Sequence, residues 1–367
     1  MYTIGIDVHA ARSNLCILDE QGNKVRERVV QGTPRKLVEE LGKFGHPFRV
    51  CYEASTCCGW LYDQLTPLAQ EVMVAHPGRL RLISQSKTKN DRNDAYILAH
   101  LAKAGMIPPA YVPGAEIRAW RRTIEQRRFS VSERTAVKNQ LRALLRTHAI
   151  SVPKGLGLWT RKGRAWLKEL AFDEHLDGTQ RDLLLAKLVY LGLEIKTLTA
   201  RLDTIAAKHP GVILLRTIPG IGPRTAEAFI AYVDDPHRFK RIKGVGAYFG
   251  LVPTQDQSGK TNRLGHITRQ GPSSVRGLLT EAVWQGIRRS PSLKAFHERV
   301  MGDDTRRRKI AVVATAHHLA RVMLSMLRSG AAWEERLVEE EPATKKTAGK
   351  AAKKNHRRGG RPAVATT

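Results

Sequence analysis

The sequence predicts an α/β N-terminal domain, a long helical insertion and a mainly helical C-terminal domain. Three observations predict this: strand and helix patterns alternate over the first hundred residues, two long helical segments follow, and helical patterns then continue to about residue 330. At 367 residues the chain exceeds the usual size of one domain. We expect domains over residues 1–112, 113–210 and 211–330, followed by a tail over 331–367.

The first hundred residues carry three strand patterns in succession and then alternate between helix and strand. Strands are expected at 3–8, 14–18, 24–30, 48–52 and 71–75, and helices at 37–44, 59–68 and 91–104. Three meandering strands followed by helix, strand, helix, strand and helix is the order of the RNase H-like fold. In a sheet of that kind the first and fourth strands are neighbours, so their ends meet at one edge.

The helical insertion contains a heptad pattern. Its first segment, 117–145, is dense in Arg and Lys. In the second segment apolar residues recur in steps of four and three, at Leu184, Leu188, Leu191, Ile195, Leu198, Leu202 and Ile205. Such a seam closes either within one chain, as a helical hairpin, or between subunits, as a coiled coil.

The charge of the chain predicts a polyanionic partner. The formal net charge is +28 and the isoelectric point is near 10.4. We expect nucleic-acid contacts from the first helical segment, at Arg118, Arg121, Arg122, Arg127, Arg128 and Lys138. Beyond Pro342 the chain is rich in Lys and Arg, which predicts a disordered tail with salt-sensitive affinity.

The composition points away from membranes. The start of the chain does not read as a signal peptide, and the most apolar stretch, 310–327, is interrupted by His317, His318 and Arg321. We therefore expect no membrane span and a cytoplasmic, nucleic-acid-associated protein.

A second candidate contact with nucleic acid begins near Ile218. The run Ile218-Pro219-Gly220-Ile221-Gly222, followed by a helical pattern, is typical of a helix-hairpin-helix element. Gly220 and Gly222 would let the backbone approach a phosphate, and Arg224 would add charge at the start of the next helix. The alternative is a tight turn between two packed helices.

Four carboxylates fall where this order of elements would bring them together. Asp7 lies near the end of the first strand, Glu53 directly follows the fourth, and Asp91 and Asp94 are three apart at a helix start. Carboxylates this close repel one another unless divalent cations lie among them, and hard oxygen ligands select Mg²⁺ or Mn²⁺. Two such ions can stabilise both the attacking and the leaving oxygen in phosphodiester chemistry.

These motifs resemble those of a known family. Gly5-Ile6-Asp7-Val8-His9, Glu53-Ala54-Ser55 and Lys89-Asn90-Asp91-Arg92-Asn93-Asp94 are similar to the DEDD signature of transposases of the insertion sequence 110 family, which also contains the Piv-type DNA invertases. The similarity continues at Gly250-Leu251-Val252-Pro253, Ser258-Gly259 and Gly265-His266-Ile267-Thr268-Arg269, and it covers residues 1 to about 330.

The resemblance implies a RuvC-like metal domain, a coiled-coil insertion and a C-terminal transposase domain with a nucleophilic serine. It assigns that role to Ser258, expected on an exposed loop, with Lys260 and Arg269 as nearby nucleic-acid contacts. It also implies a homo-oligomer, a dimer or tetramer, whose active sites join domains of different subunits. In studied members a structured bridge RNA pairs with donor and target DNA.

Two other functions remain open from the residues. One is an RNase H-like nuclease or junction resolvase, which uses the same carboxylates with water as the nucleophile. The other is a basic nucleic-acid-binding protein without catalysis.

Overall fold

The computed structural model describes residues 1–83, 91–258 and 261–335, and in these it has a mixed α/β N-terminal region followed by a mostly helical remainder. The N-terminal strands are β1 Tyr2–Val8, β2 Arg12–Leu18, β3 Lys24–Gln31, β4 Phe48–Glu53 and β5 Glu71–Ala75. The helices that accompany them are α1 Pro34–Gly42, α2 Cys58–Leu65, α3 Pro77–Ile83 and α4 Asp91–Lys103.

The five strands form one sheet in the order β3-β2-β1-β4-β5. The first three strands are antiparallel, whereas β4 runs parallel to β1 and β5 runs parallel to β4. The expected order of strands and helices is therefore confirmed, and β1 and β4 are neighbours. The element that the sequence patterns did not predict is the short helix α3.

Helices cover both faces of this sheet. Ile4 and Ile6 point to one face, where they join a core with Leu37 of α1 and Leu61 of α2. The other face is covered by α4, which packs against β1, β2 and β4. Because side chains alternate along a strand, Gly5 and Asp7 lie on the face that α4 covers.

A helical hairpin follows the sheet. It consists of α5 Ala115–Thr147 and α7 His175–Lys208, with the short α6 Arg161–Glu169 between them. The two long helices run antiparallel, since Arg127 of α5 contacts Thr199 of α7 and Glu133 of α5 contacts Lys187 of α7.

The heptad seam closes inside this hairpin. Leu188 and Leu191 pack with Val137 and Leu141 of α5, and Leu191 is only 1% exposed. Of the two interpretations of the seam, the structure has the intramolecular one, because α5 supplies the apolar surface that a second subunit would otherwise provide. Ile205, the last residue of the pattern, is partly exposed instead.

The C-terminal region has one large core. Its elements are α8 Pro210–Leu215, α9 Pro223–Val233, α10 Gly244–Tyr248, β6 Pro253–Ser258, β7 Thr261–Ile267, α11 Ser273–Gly286, α12 Pro291–Met301 and α13 Arg308–Ser329. Trp120 and Ile124 of α5 and Leu202 of α7 belong to the same core. The base of the hairpin is thus packed into the C-terminal region.

The helix α13 corrects the expectation that no segment is apolar enough to span a membrane. The stretch Thr305–Ser329 is long enough for a span, and an apolar window of 18 residues within it has a mean hydropathy of 1.5. His317, His318 and Arg321 do not lower that average enough. Half of the apolar window is buried, and Leu319 and Met323 lie in the C-terminal core. A core helix needs an apolar face for the same reason as a span, so its hydropathy is explained by packing.

A second correction concerns the segment that carries Ser258, which was expected to be a loop. It forms an antiparallel hairpin in which β6 pairs with β7 and Ser258 pairs with Thr261. The cause is local: the paired residues Ser258 and Thr261 are separated in the sequence by only two residues, one of them a glycine, and this spacing is typical of a β-hairpin. Gly259 and Lys260 lie outside the described residues, as do the tail beyond residue 335 and the side chain of Asp91.

The contact between α4 and β1 depends on Gly5. A Cβ at this position would lie 2.1 Å from the carbonyl oxygen of Ala95 and 2.4 Å from the backbone nitrogen of Ala99. Both are backbone atoms of α4, so they cannot move aside without moving the helix.

We therefore predict that Gly5→Ala lowers the free energy of unfolding by about 2–4 kcal/mol, because it overpacks this contact. Gly42→Ala is the matched control, since a Cβ there has nothing within 4 Å. Chemical denaturation of the two variants measures the difference. Equal stability of the two would mean that α4 is not held against Gly5.

Candidate metal site and nucleic-acid interface

Asp7 and Glu53 lie side by side at the carboxyl ends of two parallel strands. The last paired residues of β1 and β4 are Ile6 and Tyr52, and Asp7 and Glu53 are the next residue on each strand. Neighbouring strands are about 4.8 Å apart, and residues in the same register project to the same side of the sheet. Both carboxylates therefore belong to one edge and to the face that α4 covers.

The helix α4 brings Asp94 to the same place. Asp94 directly precedes Ala95, whose carbonyl oxygen packs on Gly5, two residues before Asp7. Asp91, the first residue of α4, is one turn earlier on the helix. The backbone thus brings the elements that carry the four expected carboxylates to one edge of the sheet.

The described carboxylate side chains do not form a complete metal-binding group. Among the residues described, no three His, Cys, Asp or Glu side chains are grouped closely enough to hold a metal ion. Asp7 is engaged by His9, whose Nε2 lies 2.9 Å from Asp7 Oδ2. The chemistry of the donors nevertheless fits a hard divalent cation, because Asp7, Glu53 and Asp94 offer carboxylate oxygens.

Asn14 is a polar residue at this edge that the sequence patterns did not single out. It pairs with Asp7 across β1 and β2, is 5% exposed, and its Nδ2 has no hydrogen-bond partner among the described residues. Together with Arg92 it lines a cleft of about 230 Å³. The signal available in the sequence was an amide within an apolar strand, 14–18, since a buried amide requires a partner or a function.

The arginines in the first half of α5 mostly bind protein groups. Arg118 forms an ion pair with Asp63 of α2. Arg121 donates from Nε to the carbonyl oxygen of Ala231, at 2.7 Å, and stacks on Tyr232. These side chains connect α5 to its neighbours, and a phosphate would have to displace those contacts.

The next basic positions on α5 differ in exposure. Arg127 is half-buried and donates to Thr199 Oγ1 at 2.8 Å, and its burial lowers the pKa of its guanidinium. Arg128 is exposed and pairs with Glu125 at 2.8 Å. Arg122 is exposed, and Lys138 lies over the ring of Trp159. Arg122 and Lys138 are therefore the two of the six expected contacts that no carboxylate, carbonyl or hydroxyl oxygen of the described chain binds.

Two glycines, Gly220 and Gly222, lie in the turn before α9, and helix packing accounts for the first of them. Gly220 has φ +92°, and a Cβ there would lie 2.6 Å from the backbone nitrogen of Gly286 in α11. Its missing side chain therefore lets two helices approach. Gly222 precedes α9 and has open space around it, so its backbone is accessible to a ligand.

Arg224, in the first turn of α9, belongs to a buried polar cluster. It pairs with Asp203 of α7 and, at 3.1 Å, with Glu227. Glu227 is 1% exposed, and burial raises its pKa to about 7 despite the nearby Arg224 and Arg127. This cluster links three helices, so Arg224 supports the fold as well as lying near Gly222.

Ser258 occupies an accessible position at the end of β6. All six side chains of β6 are exposed, and no group in the described part of the chain forms a hydrogen bond with Ser258 Oγ. Arg269, which follows β7 at the opposite end of the hairpin, is also exposed and has φ +54°. Ser274, at the start of α11, donates to Glu125 and is buried, so Ser258 is the more accessible hydroxyl of the two.

Comparison with known proteins gives two family matches. Residues 4–150 match a transposase model of the DEDD type found in insertion sequence 110. Residues 213–298 match the model described as the transposase IS116/IS110/IS902 family. The first match contains all four carboxylates, and the second contains Ser258.

Individual relatives agree with these matches. The protein y4qE of Sinorhizobium fredii is 28% identical over 287 residues, which are 77% of this chain and 70% of that protein. The transposase for insertion sequence element IS1111A of Coxiella burnetii is 26% identical over 284 residues, 75% of each chain. The pilin gene-inverting protein of Moraxella lacunata is 28% identical over 128 residues, 34% of this chain and 39% of that protein.

The buried Glu227 makes a pH dependence of stability testable. Its pKa is about 7 in the folded chain and has an ordinary value of 4.5. The folded state therefore holds a proton that the unfolded state loses, and stability falls as the pH rises through this window. We predict that the free energy of unfolding of the wild type decreases by about 2–3 kcal/mol between pH 4.5 and 7, and that Glu227→Gln removes this decrease.

Chemical denaturation across that pH range measures the effect. Glu298→Gln serves as the control, because Glu298 is exposed and makes only a long contact of 3.9 Å with Lys294. If wild type and Glu227→Gln gave parallel curves of unfolding free energy against pH, Glu227 would not be protonated in the folded protein.

Proposed function

Because the chain belongs to the insertion sequence 110 family of transposases, enzymes that cut and rejoin DNA, we propose that its α/β region is a RuvC-like catalytic domain that uses Mg²⁺ or Mn²⁺. The observation that carries this proposal is the convergence of β1, β4 and the start of α4 at one edge of the sheet. Asp7, Glu53, Asp91 and Asp94 are the proposed metal ligands.

In this proposal bound divalent cations supply charge that stabilises the oxygens around the scissile phosphate. The residues of the chain hold those charges at a fixed place. Gly5 lets α4 approach β1, so that Asp94 is held near Asp7 and Glu53. Asn14 adds a buried amide beside Asp7, and Arg92 adds a cation to the adjoining cleft.

We further propose that Ser258 is the nucleophile. Its Oγ would form a bond to phosphorus as the scissile phosphorus–oxygen bond breaks, the hydroxyl proton would pass to a base, and the leaving sugar oxygen would take up a proton. The exposure of Ser258 supports access by DNA. A two-stranded hairpin with both faces exposed gains little stability alone, which supports a partner for it during the reaction.

A second candidate mechanism uses water in place of the serine, as in a nuclease or junction resolvase. The observation that favours it is the lack of a hydrogen bond between Ser258 and a base in the described residues. The two mechanisms differ in their intermediate, because only the serine route links protein to DNA. A third candidate, a binding protein without catalysis, predicts no cleavage.

A homo-oligomer, dimer or tetramer, would bring Ser258 of one subunit to the carboxylates of another. The second apolar face of α7 supports such an assembly. Leu176, Leu183, Tyr190 and Leu193 are exposed and recur at steps of seven and three on the side away from the buried seam. The part of the hairpin left for subunit contacts is this outer face, since the inner seam is already covered.

The proposed partners are donor and target DNA and a bridge RNA. The net charge of +28 supports polyanionic partners in general. Candidate contacts in the C-terminal region are Gly222, Lys260 and Arg269. A protein with these partners is expected in the cytoplasm on nucleic acid. The specific role of RNA remains a prediction from the family resemblance.

We predict that Asp7→Asn or Asp94→Asn lowers strand cleavage by at least about 1,000-fold and changes DNA affinity by less than about threefold. Each substitution removes a metal-binding charge and keeps the shape of the side chain, while the basic surfaces remain. Cleavage of DNA from the element ends is measured with Mg²⁺ and with EDTA. Glu39→Gln, on the exposed side of α1, is the control. Cleavage that persists in EDTA would contradict metal-dependent catalysis.

The serine proposal predicts a covalent protein–DNA species. Wild type incubated with cognate DNA and Mg²⁺ should give a slow band on denaturing electrophoresis, and Ser258→Ala should not. Ser274→Ala is the matched control, because Ser274 is bound to Glu125. A band that survives Ser258→Ala would exclude Ser258, and cleavage without any band would favour water as the nucleophile.

A further inference from the structure

One continuous stretch of the chain at the far end of the helical hairpin carries cations without acids. Residues 134–168 contain nine Lys and Arg and no Asp or Glu. The nine are Arg134, Lys138, Arg142, Arg146, Lys154, Arg161, Lys162, Arg164 and Lys168. None of the nine forms an ion pair with any residue the structure describes. This differs from the first half of α5, where arginines bind protein groups.

Trp159 brings two of these cations together, and two more act on one of that pair. The Nζ of Lys138 and the Cζ of Arg142 each lie 5.1 Å from the centre of its ring. Burial lowers the pKa of the Lys138 ammonium group, and the charges of Arg134, Arg142 and Arg164 lower it further. We call Arg134, Lys138, Arg142 and Arg164 the basic tip.

Two acids near the basic tip, Glu133 and Asp177, are paired with other side chains. Glu133 pairs with Lys187 of α7, at 3.5 Å, and Asp177 pairs with His148, at 3.1 Å. The helix α6 also has no acidic residue in its first turn, where one would be favourable. Repulsion among the four cations disfavours the folded state, so folding alone does not explain this arrangement.

We propose that the basic tip binds the sugar–phosphate backbone of duplex DNA about one helical turn away from the contact between α5 and the N-terminal region. This inference rests on the proposed function. Its α6 portion lies between the two family matches, 4–150 and 213–298, which do not cover it. Charge complementarity to a polyanion is the reason for the ligand class, because no carboxylate in the described part of the chain pairs with these cations.

The length of α5 sets the distance between the N-terminal region and the basic tip. Arg118, near the start of α5, contacts α2 of the N-terminal region, and Arg142 lies 24 residues further along the same helix. At 1.5 Å per residue these positions are about 36 Å apart. One turn of B-DNA spans about 34–36 Å. A duplex that lies along the hairpin would therefore present its backbone to the tip one turn from the N-terminal region.

The test is the double variant Lys138→Gln, Arg142→Gln in the full chain. The probe is a fluorescein-labelled DNA duplex of 30 base pairs and mixed sequence, and fluorescence anisotropy is recorded over a series of salt concentrations. Loss of two phosphate contacts should weaken binding about tenfold and reduce the slope of log affinity against log salt by about two. The midpoint of thermal unfolding should stay equal or rise, since repulsion is removed.

The matched control is Lys196→Gln, Arg201→Gln, which removes the same charge from exposed positions of α7. It should leave the affinity and the salt slope within about twofold of wild type. Equal binding by the two double variants would overturn the proposal. A deficit seen only with an RNA duplex of the same length would overturn the assignment to DNA.

The result is separable from the proposed function. If the tip variant bound DNA as wild type does while Asp7→Asn still lost cleavage, the basic tip would be excluded as a DNA-binding surface. The metal-dependent function would stand. If Asp7→Asn cleaved normally, the catalytic proposal would fail whatever the tip variant did.

Discussion

The contact between α4 and the backbone of β1 is the constraint on which the candidate site depends. Asp7 and Glu53 come from neighbouring strands, and any parallel pair with this register would place them together. Asp94 comes from a helix, so its position depends on how closely that helix approaches. Gly5 sets the approach, because a side chain there would collide with backbone atoms of Ala95 and Ala99. A missing Cβ on the strand thus has as much influence on the site as the carboxylates themselves.

The helical hairpin separates two kinds of positive charge. Near its base, Arg118 and Arg121 bind a carboxylate and backbone carbonyl groups, and they fasten α5 to the regions on both sides. Toward the far end, Lys138 and Arg142 share an aromatic ring and have no acidic partner in the described chain. The same residue types therefore serve stability in one half and leave charge available to a partner in the other.

Much of the fold could be predicted from the sequence, because its signals are local. Period-two strands, heptad spacing and their order along the chain gave the five-stranded sheet and the long helices. Local patterns could not predict which element packs against each apolar surface. The seam through Leu191 closes on α5 rather than on a second subunit, and only the path of the chain between the helices decides that.

In the candidate site, too, the residues with local sequence signals could be predicted and those that depend on distant contacts could not. The carboxylates were identifiable because they follow predicted strands or start a helix, and Asp7 and Glu53 lie at the expected edge. The buried state of Asn14 and the packing role of Gly220 depend on contacts between distant elements. Ser258 was expected in a loop, since a fully polar strand lacks the apolar alternation by which strands are recognised.

The most direct test of the metal site is a measurement of Mn²⁺ binding by electron paramagnetic resonance, in the absence of DNA. Wild type should bind Mn²⁺ that Mg²⁺ displaces, and Asp7→Asn should weaken that binding at least about tenfold, as expected for the loss of a ligand charge. Glu39→Gln, on the exposed side of α1, should bind as wild type does. Equal binding of Mn²⁺ by wild type and Asp7→Asn would contradict a metal site at the edge formed by β1, β4 and α4.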